Sequence, residues 1–145
     1  MGVSEYLYCG KLAFGLFVMN LEKVIFGFFI VLAATLNFGF FVGDIDNSTH
    51  HDVYELFAAI VVNLIATVLK FGDRTHIGAI HLSTSLVADL QLIAAALVWG
   101  YGTQVAGVDL TPELTTKVVS LSGGALFANI VSIIILIAET IMQRR

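Results

Sequence analysis

The chain has 145 residues, 58% of them hydrophobic and 12% charged, with one proline, one cysteine, a formal net charge of -4 and a mean hydropathy of +0.93. A soluble domain is about 45–50% apolar with glycine counted and about 25% charged, so a chain of this length carries more apolar side chains than it could hide from water. The same figures exclude a disordered chain, a disulfide-stapled secreted scaffold and a nucleic-acid binder. They point to a membrane protein whose first partner is the lipid bilayer.

From the N-terminus, Cys9 follows Tyr6-Leu7-Tyr8 without the small residues of a lipoprotein processing site and is read as a bystander. Leu12–Leu21 is an apolar run flanked by Lys11 and by Glu22-Lys23. It is about half the roughly 20 residues that a span requires, so it predicts an interfacial helix feeding into the first span. No small-residue cleavage site follows it and the hydrophobicity continues, which is unlike a secretory signal.

Four longer stretches are expected to cross the bilayer: Val24–Gly43, Val53–Leu69, Ile77–Trp99 and Leu121–Met142. Gly43, Gly72 and Gly100 stand where a left-handed residue would close the first three helices. Asp52, with Glu55 three residues on, predicts a capping box at the start of the second. Thr111-Pro112-Glu113 predicts that the fourth helix begins well before its span, with a kink at Gly123-Gly124.

Cations near span ends stay on the cytoplasmic side. Lys11, Lys23, Lys70, Arg74, Arg144 and Arg145 fall on one face, while Asp44, Asp46, Asp52, Asp109 and Glu113 fall on the other, with Lys117 as the exception. The expected architecture is an all-α membrane protein: a four-helix transmembrane bundle with an N-terminal interfacial helix and both termini cytoplasmic. Glu139, just over one turn before Arg144-Arg145, is expected to pair with those arginines at the interface.

Each span carries a strongly polar residue near its middle: Asn37, Asn63, Asp89 and Asn129. An aspartate at a helix centre costs about 2.5–3.5 kcal/mol on insertion scales, so Asp89 is expected to face a bundle interior, a cavity or a partner. At about 100° per residue, His81, Ser85, Asp89, Ala96 and Trp99 share one side of the third helix, with Gly78 and Ala88 beside them. A carboxylate with amide oxygens suits a hard cation, and a carboxylate away from water suits proton transfer. The candidate ion or proton pathway is therefore Asp89, His81, Ser85, Asn37, Asn63 and Asn129. The alternative is that the asparagines join helices and that Asp89 is held neutral or paired with a histidine such as His81.

Ala34-Thr35-Leu36-Asn37 can be aligned with Ala88-Asp89-Leu90-Gln91 as a trace of an internal duplication, although matches this short arise easily in apolar helices. Asp44, Asp46, His50, His51 and Asp52 are weak metal-ligand candidates, because their spacing fits no ligand motif and a solvated acidic loop explains them. Trp99-Gly100-Tyr101-Gly102 shares a Gly-Tyr-Gly core with potassium-channel filters. It departs from them at Trp99 and in following a full span, so it is read as an interfacial aromatic and a glycine stop. No nucleophile-base-orienter set, phosphate loop or haem pair is present, so neither a conventional enzyme nor a cofactor is expected.

The runs Phe28–Leu32, Leu36–Asp44, Val53–Phe57 and Leu86–Gln91 resemble short bacterial inner-membrane proteins of an uncharacterised family. The resemblance implies a bacterial inner membrane and imports no activity and no site. Two functions are carried forward: a homo-oligomeric cation or proton channel or transporter subunit with a midplane carboxylate, and a non-conducting accessory or scaffold subunit that binds another membrane or cytoplasmic protein.

Overall fold

The computed structural model of the chain describes residues 3–107 and 110–143. It contains four long helices, α1 (Val3–Phe41), α2 (Val53–Lys70), α3 (His76–Gly100) and α4 (Pro112–Gln143). A short 3-10 turn (Ser48–His50) links the first two, and α3 runs on as a π-helical segment over Tyr101–Val105. Within them, Leu21–Phe41, Val53–Lys70, His76–Val105 and Pro112–Gln143 are each long and apolar enough to cross a membrane.

The helices form a closed ring. α2 packs on α1 and α3, and α4 packs on α3 and α1. The buried residues follow alternating steps of three and four: Phe26, Ile30, Ala33, Asn37 and Phe40 on α1; Leu56, Ala59, Asn63, Ala66 and Lys70 on α2. On α3 they are Gly78, His81, Ser85, Ala88, Leu92 and Ala95, and on α4 Thr115, Val118, Ser122, Ala125, Asn129 and Ser132. This is a 3.5-residue repeat, the seam of closely aligned helices. It corrects the expected α3 stripe. Counting at 3.6 residues per turn drifts off the seam, so Leu92 and Ala95 are buried where Ala96 and Trp99 were expected, and those two are only partly covered.

The distribution of polarity is inverted relative to a soluble protein. Asn37, Asn63, His81, Ser85, Ser122, Asn129 and Ser132 are fully buried, whereas Phe28, Val68, Leu90, Leu97 and Phe127 are all more than half exposed. In hydrocarbon an outward leucine costs nothing and an outward amide several kcal/mol, so this arrangement fits lipid as the surrounding solvent.

Two expectations about helix ends change. The interfacial segment is not a separate helix: α1 is continuous over 39 residues. No proline or cap interrupts Asn20-Leu21-Glu22-Lys23, so the backbone carries straight on. Residues 5–15 are exposed along its first part and add nothing to the core. Of the three glycines, only Gly43 takes a positive φ, +132°. Gly100 continues the helix with φ -63°, and α3 gives way only after its π-helical extension, before Gly107 at φ +62°. Helical winding across Tyr101-Gly102 is also incompatible with an extended filter strand. The expected start of α4 holds, with the Leu114 N–H donating to Thr111 Oγ1 at 3.3 Å. α4 stays helical through Gly123-Gly124, where the pair serves close packing against the Phe41 ring and the Gln91 amide.

At Gly43 an added Cβ would lie 2.8 Å from His50 Cβ in a backbone conformation that side chains resist. Gly72 and Gly100 have nothing within 4 Å of such an atom. Gly43→Ala should therefore lower stability by about 1–3 kcal/mol, while Gly72→Ala is neutral and Gly100→Ala is stabilising by about 0.5–1 kcal/mol. Thermal unfolding in mild detergent ranks the three, and equal effects would contradict these assignments.

Candidate functional site

The midplane site is built from two facing helices. α2 places Asn63 and Thr67 one turn apart, and α3 places Ser85 and Asp89 one turn apart. Asn63 Nδ2 donates to Asp89 Oδ1 at 2.7 Å and to the Ser85 carbonyl at 3.3 Å. Thr67 Oγ1 donates to Asp89 Oδ2 at 2.6 Å and also lies 3.1 Å from the Asn63 carbonyl. Both carboxylate oxygens thus have donors, and Asp89 is 4% exposed.

Thr67 has one proton and two possible acceptors. With Asp89 ionised, the hydroxyl donates to Oδ2. With Asp89 protonated at Oδ2, the acid donates to Thr67 Oγ1, and the hydroxyl turns its own proton to the Asn63 carbonyl. Both protonation states are satisfied by rotating one O–H, without moving a heavy atom. Buried hydrogen-bonding capacity remains around this clasp: Asn63 Oδ1, Ser85 Oγ and both side-chain polar atoms of Asn129 have no partner among the described residues.

The other expected pathway residues divide into separate groups. Asn37 Oδ1 accepts from the Ser122 hydroxyl, in a layer nearer the acidic end. His81 does not pair with Asp89. Its ring packs edge-on to Phe26 at 5.0 Å, its Nε2 lies 4.0 Å from Glu139 Oε2, and neither ring nitrogen has a hydrogen-bond partner. Thr35, aligned with Asp89 in the suggested duplication, is exposed where Asp89 is buried, so the two positions are not equivalent.

At the basic end, Glu139 pairs with Lys23 of α1 at 3.0 Å, and Lys23 also donates to Gln143. The partner expected for Glu139 came from Arg144 and Arg145, which lie outside the described residues, as does Asp109. Lys70, which the sequence shows only as a flanking cation, is 4% exposed. It lies 3.3 Å from Asp73 and 4.7 Å from the centre of the Phe26 ring. Asp73 also accepts from the Thr75 N–H at 3.0 Å and its hydroxyl at 2.8 Å, which joins the end of α2 to the start of α3. These side chains, with Glu22 and Arg74, surround a cavity of about 560 Å³ open to the end of the bundle.

At the opposite end Asp52 caps α2, accepting from the Tyr54 N–H at 2.8 Å. Glu55 does not complete the box; its carboxylate turns onto Gly39 of α1. His51 is buried against two carbonyls, with Nδ1 2.6 Å from that of Phe40 and Nε2 3.0 Å from that of Asp44. His50 lies 3.4 Å from Asp44, and Lys117, the one cation on this side, lies 2.8 Å from Glu113. Among the described residues no three of His, Cys, Asp and Glu gather to hold a metal.

Sequence reasoning missed Thr67, the Lys23–Glu139–His81 contact and the burial of Lys70. The seven-residue steps Thr115–Ser122–Asn129 repeat the seam, whereas Thr67 lies beside it, one turn from Asn63, and is signalled only by that spacing.

Thr67→Val leaves one Asp89 oxygen without its donor and should lower stability by about 1–3 kcal/mol in detergent; an unchanged melting temperature would contradict the clasp. Partial burial pushes the Asp73 carboxyl upward, but the two Thr75 bonds and Lys70 outweigh it and hold it below the ordinary 3.8. The resulting stability is present above that value and lost as the pH falls through the lowered one. The deficit of Asp73→Asn relative to wild type should therefore shrink as the pH is taken below 3.8, and a deficit that is constant with pH would refute this.

Residues 50–140 match a family of unknown function (DUF6394). The match takes in α2, α3 and most of α4, and so every residue of the Asp89 clasp. No curated protein and no solved structure matches the chain. By a match over more than half its length, the chain belongs to the DUF6394 family of unknown function.

Proposed function

We propose that this multi-pass protein moves protons across a bacterial inner membrane, with Asp89 as the group that takes up and releases them. The observation that carries the reading is the Thr67 hydroxyl, which serves Asp89 in either protonation state. A proton is favoured over a metal cation because Asn63 and Thr67 present hydrogens to the carboxylate, where a cation requires oxygen lone pairs.

The basic end is the entrance and the cytoplasmic side, as the positive-inside rule requires. From the cavity, Glu139 leads to His81, and Ser85 and Asp89 follow at successive turns of α3, about 6 Å each. Steps of that length need water between them, and Ser85 Oγ, Asn63 Oδ1 and Asn129 supply polar atoms that can hold it. Beyond Asp89, Asn37 and Ser122 continue toward the acidic side, and an apolar layer that includes Val118 and Val119 lies between them and Thr115. The site is enclosed by one bundle, so the pathway runs through a single chain and does not depend on the homo-oligomer expected from the sequence.

The second reading, a non-conducting accessory subunit, draws on the apolar layer beyond Asp89, where Phe40, Leu56, Leu92, Val118 and Val119 pack together. Proton flux into liposomes under an imposed potential, followed with an internal pH dye, separates the two. Wild type should conduct, and Asp89→Asn and Asp89→Ala should each lose at least about a hundredfold, the low end for removing a proton-transfer group. Flux that is absent in wild type, or equal in all three, would favour the accessory role.

A further inference from the structure

We infer that the cavity at the basic end and the apolar groove beside it on α2 form a binding site for one phospholipid with a phosphoethanolamine head. The cavity of about 560 Å³ is ringed by three cations, Lys23, Lys70 and Arg74, and by three carboxylates, Glu22, Asp73 and Glu139. Such a lining suits a ligand that bears both signs. A phosphate would sit toward Lys70 and Arg74, and an ammonium toward Glu22, since Glu139 already pairs with Lys23. A phosphate head without an amine would leave Glu22, the one of the three carboxylates with no ion pair among the described residues, unanswered.

Lys70 is the strongest sign of a ligand. It is 4% exposed, yet among the described residues its one ion pair is the 3.3 Å contact with Asp73, beside which it lies over the face of Phe26. An ammonium has three donors, and among the described residues Asp73 is the one acceptor that Lys70 reaches.

Leu69 lines both this cavity and a groove of about 340 Å³ bounded by Val61, Leu64, Ile65 and Val68, with no polar surface. The groove follows the outer face of α2 for about 12 Å toward the bilayer centre at 1.5 Å per residue. A soluble zwitterion would have no use for the groove, and a fatty acid none for the mixed charges. Continuity of the two at the end of a span fits a lipid held by head and chain together. The site stands whether or not Asp89 moves protons.

Native mass spectrometry of the full chain, released from detergent with equal phosphatidylethanolamine and phosphatidylglycerol, tests it. One phosphatidylethanolamine should be retained preferentially. Lys70→Gln should weaken retention about fivefold, the usual effect of one cation at a lipid surface. Val68→Trp, on the exposed face, should block the groove without disturbing the core, and Lys117→Gln at the other end should change nothing. Free phosphoethanolamine at the same concentration should not bind. Equal retention of both lipids, wild-type retention in Lys70→Gln and Val68→Trp, or binding of the free head as tight as the lipid would overturn the assignment.

Discussion

A carboxylate in the middle of a membrane must be given partners by the protein, because the hydrocarbon offers none. Asp89 meets that constraint with Asn63 and Thr67 on the neighbouring helix, and the clasp sets the register of α2 against α3. The same requirement operates at other depths: Ser122 answers Asn37 between α4 and α1, and Ser132 meets Thr84 between α4 and α3. Without a hydrophobic drive between helices in lipid, close packing of small residues and such polar contacts hold the ring together. Ala59, Ala66, Ala88, Ala95 and Ala125, all fully buried, provide the close packing.

The two ends of the bundle use charge differently. At the acidic end the charges cap helices and tie down a loop: Asp52 closes the start of α2, and His51 binds two carbonyls. At the basic end they turn inward, so that Lys70 is buried and Glu139 stands between Lys23 and His81. An apolar cluster lies on each side of Asp89, but the other buried ionisable groups within the helices, Lys70 and His81, are both on its basic side, which makes the interior asymmetric. That asymmetry suits directional access to Asp89 better than an open pore.

Much of this was legible in the sequence, and the limits have physical causes. The spans could be read because lipid demands a long apolar run, and Asp89 stood out because it breaks one. The inward face of α3 could be read through Ala88 but not beyond, since a straight-helix period drifts about 20° per heptad from the seam. The partners of Asp89, Asn37 and Glu139 could not be read, because they depend on how antiparallel helices slide against each other, which loop lengths and packing decide. The continuous α1 was obscured by treating bilayer thickness as a limit on the helix, whereas helix length follows from the absence of a stop between Lys11 and Lys23.

As the proposed proton carrier, Asp89 must exchange a proton while Thr67 adjusts to it. Infrared difference spectra of the protein in lipid, recorded across a pH titration, report a protonated carboxyl directly through its carbonyl stretch. A carboxyl band should appear as the pH is lowered, vanish in Asp89→Asn and shift to higher frequency in Thr67→Val, where the acid loses its hydrogen-bond partner. A titrating band that persists unchanged in both variants would show that Asp89 is not the proton-binding group.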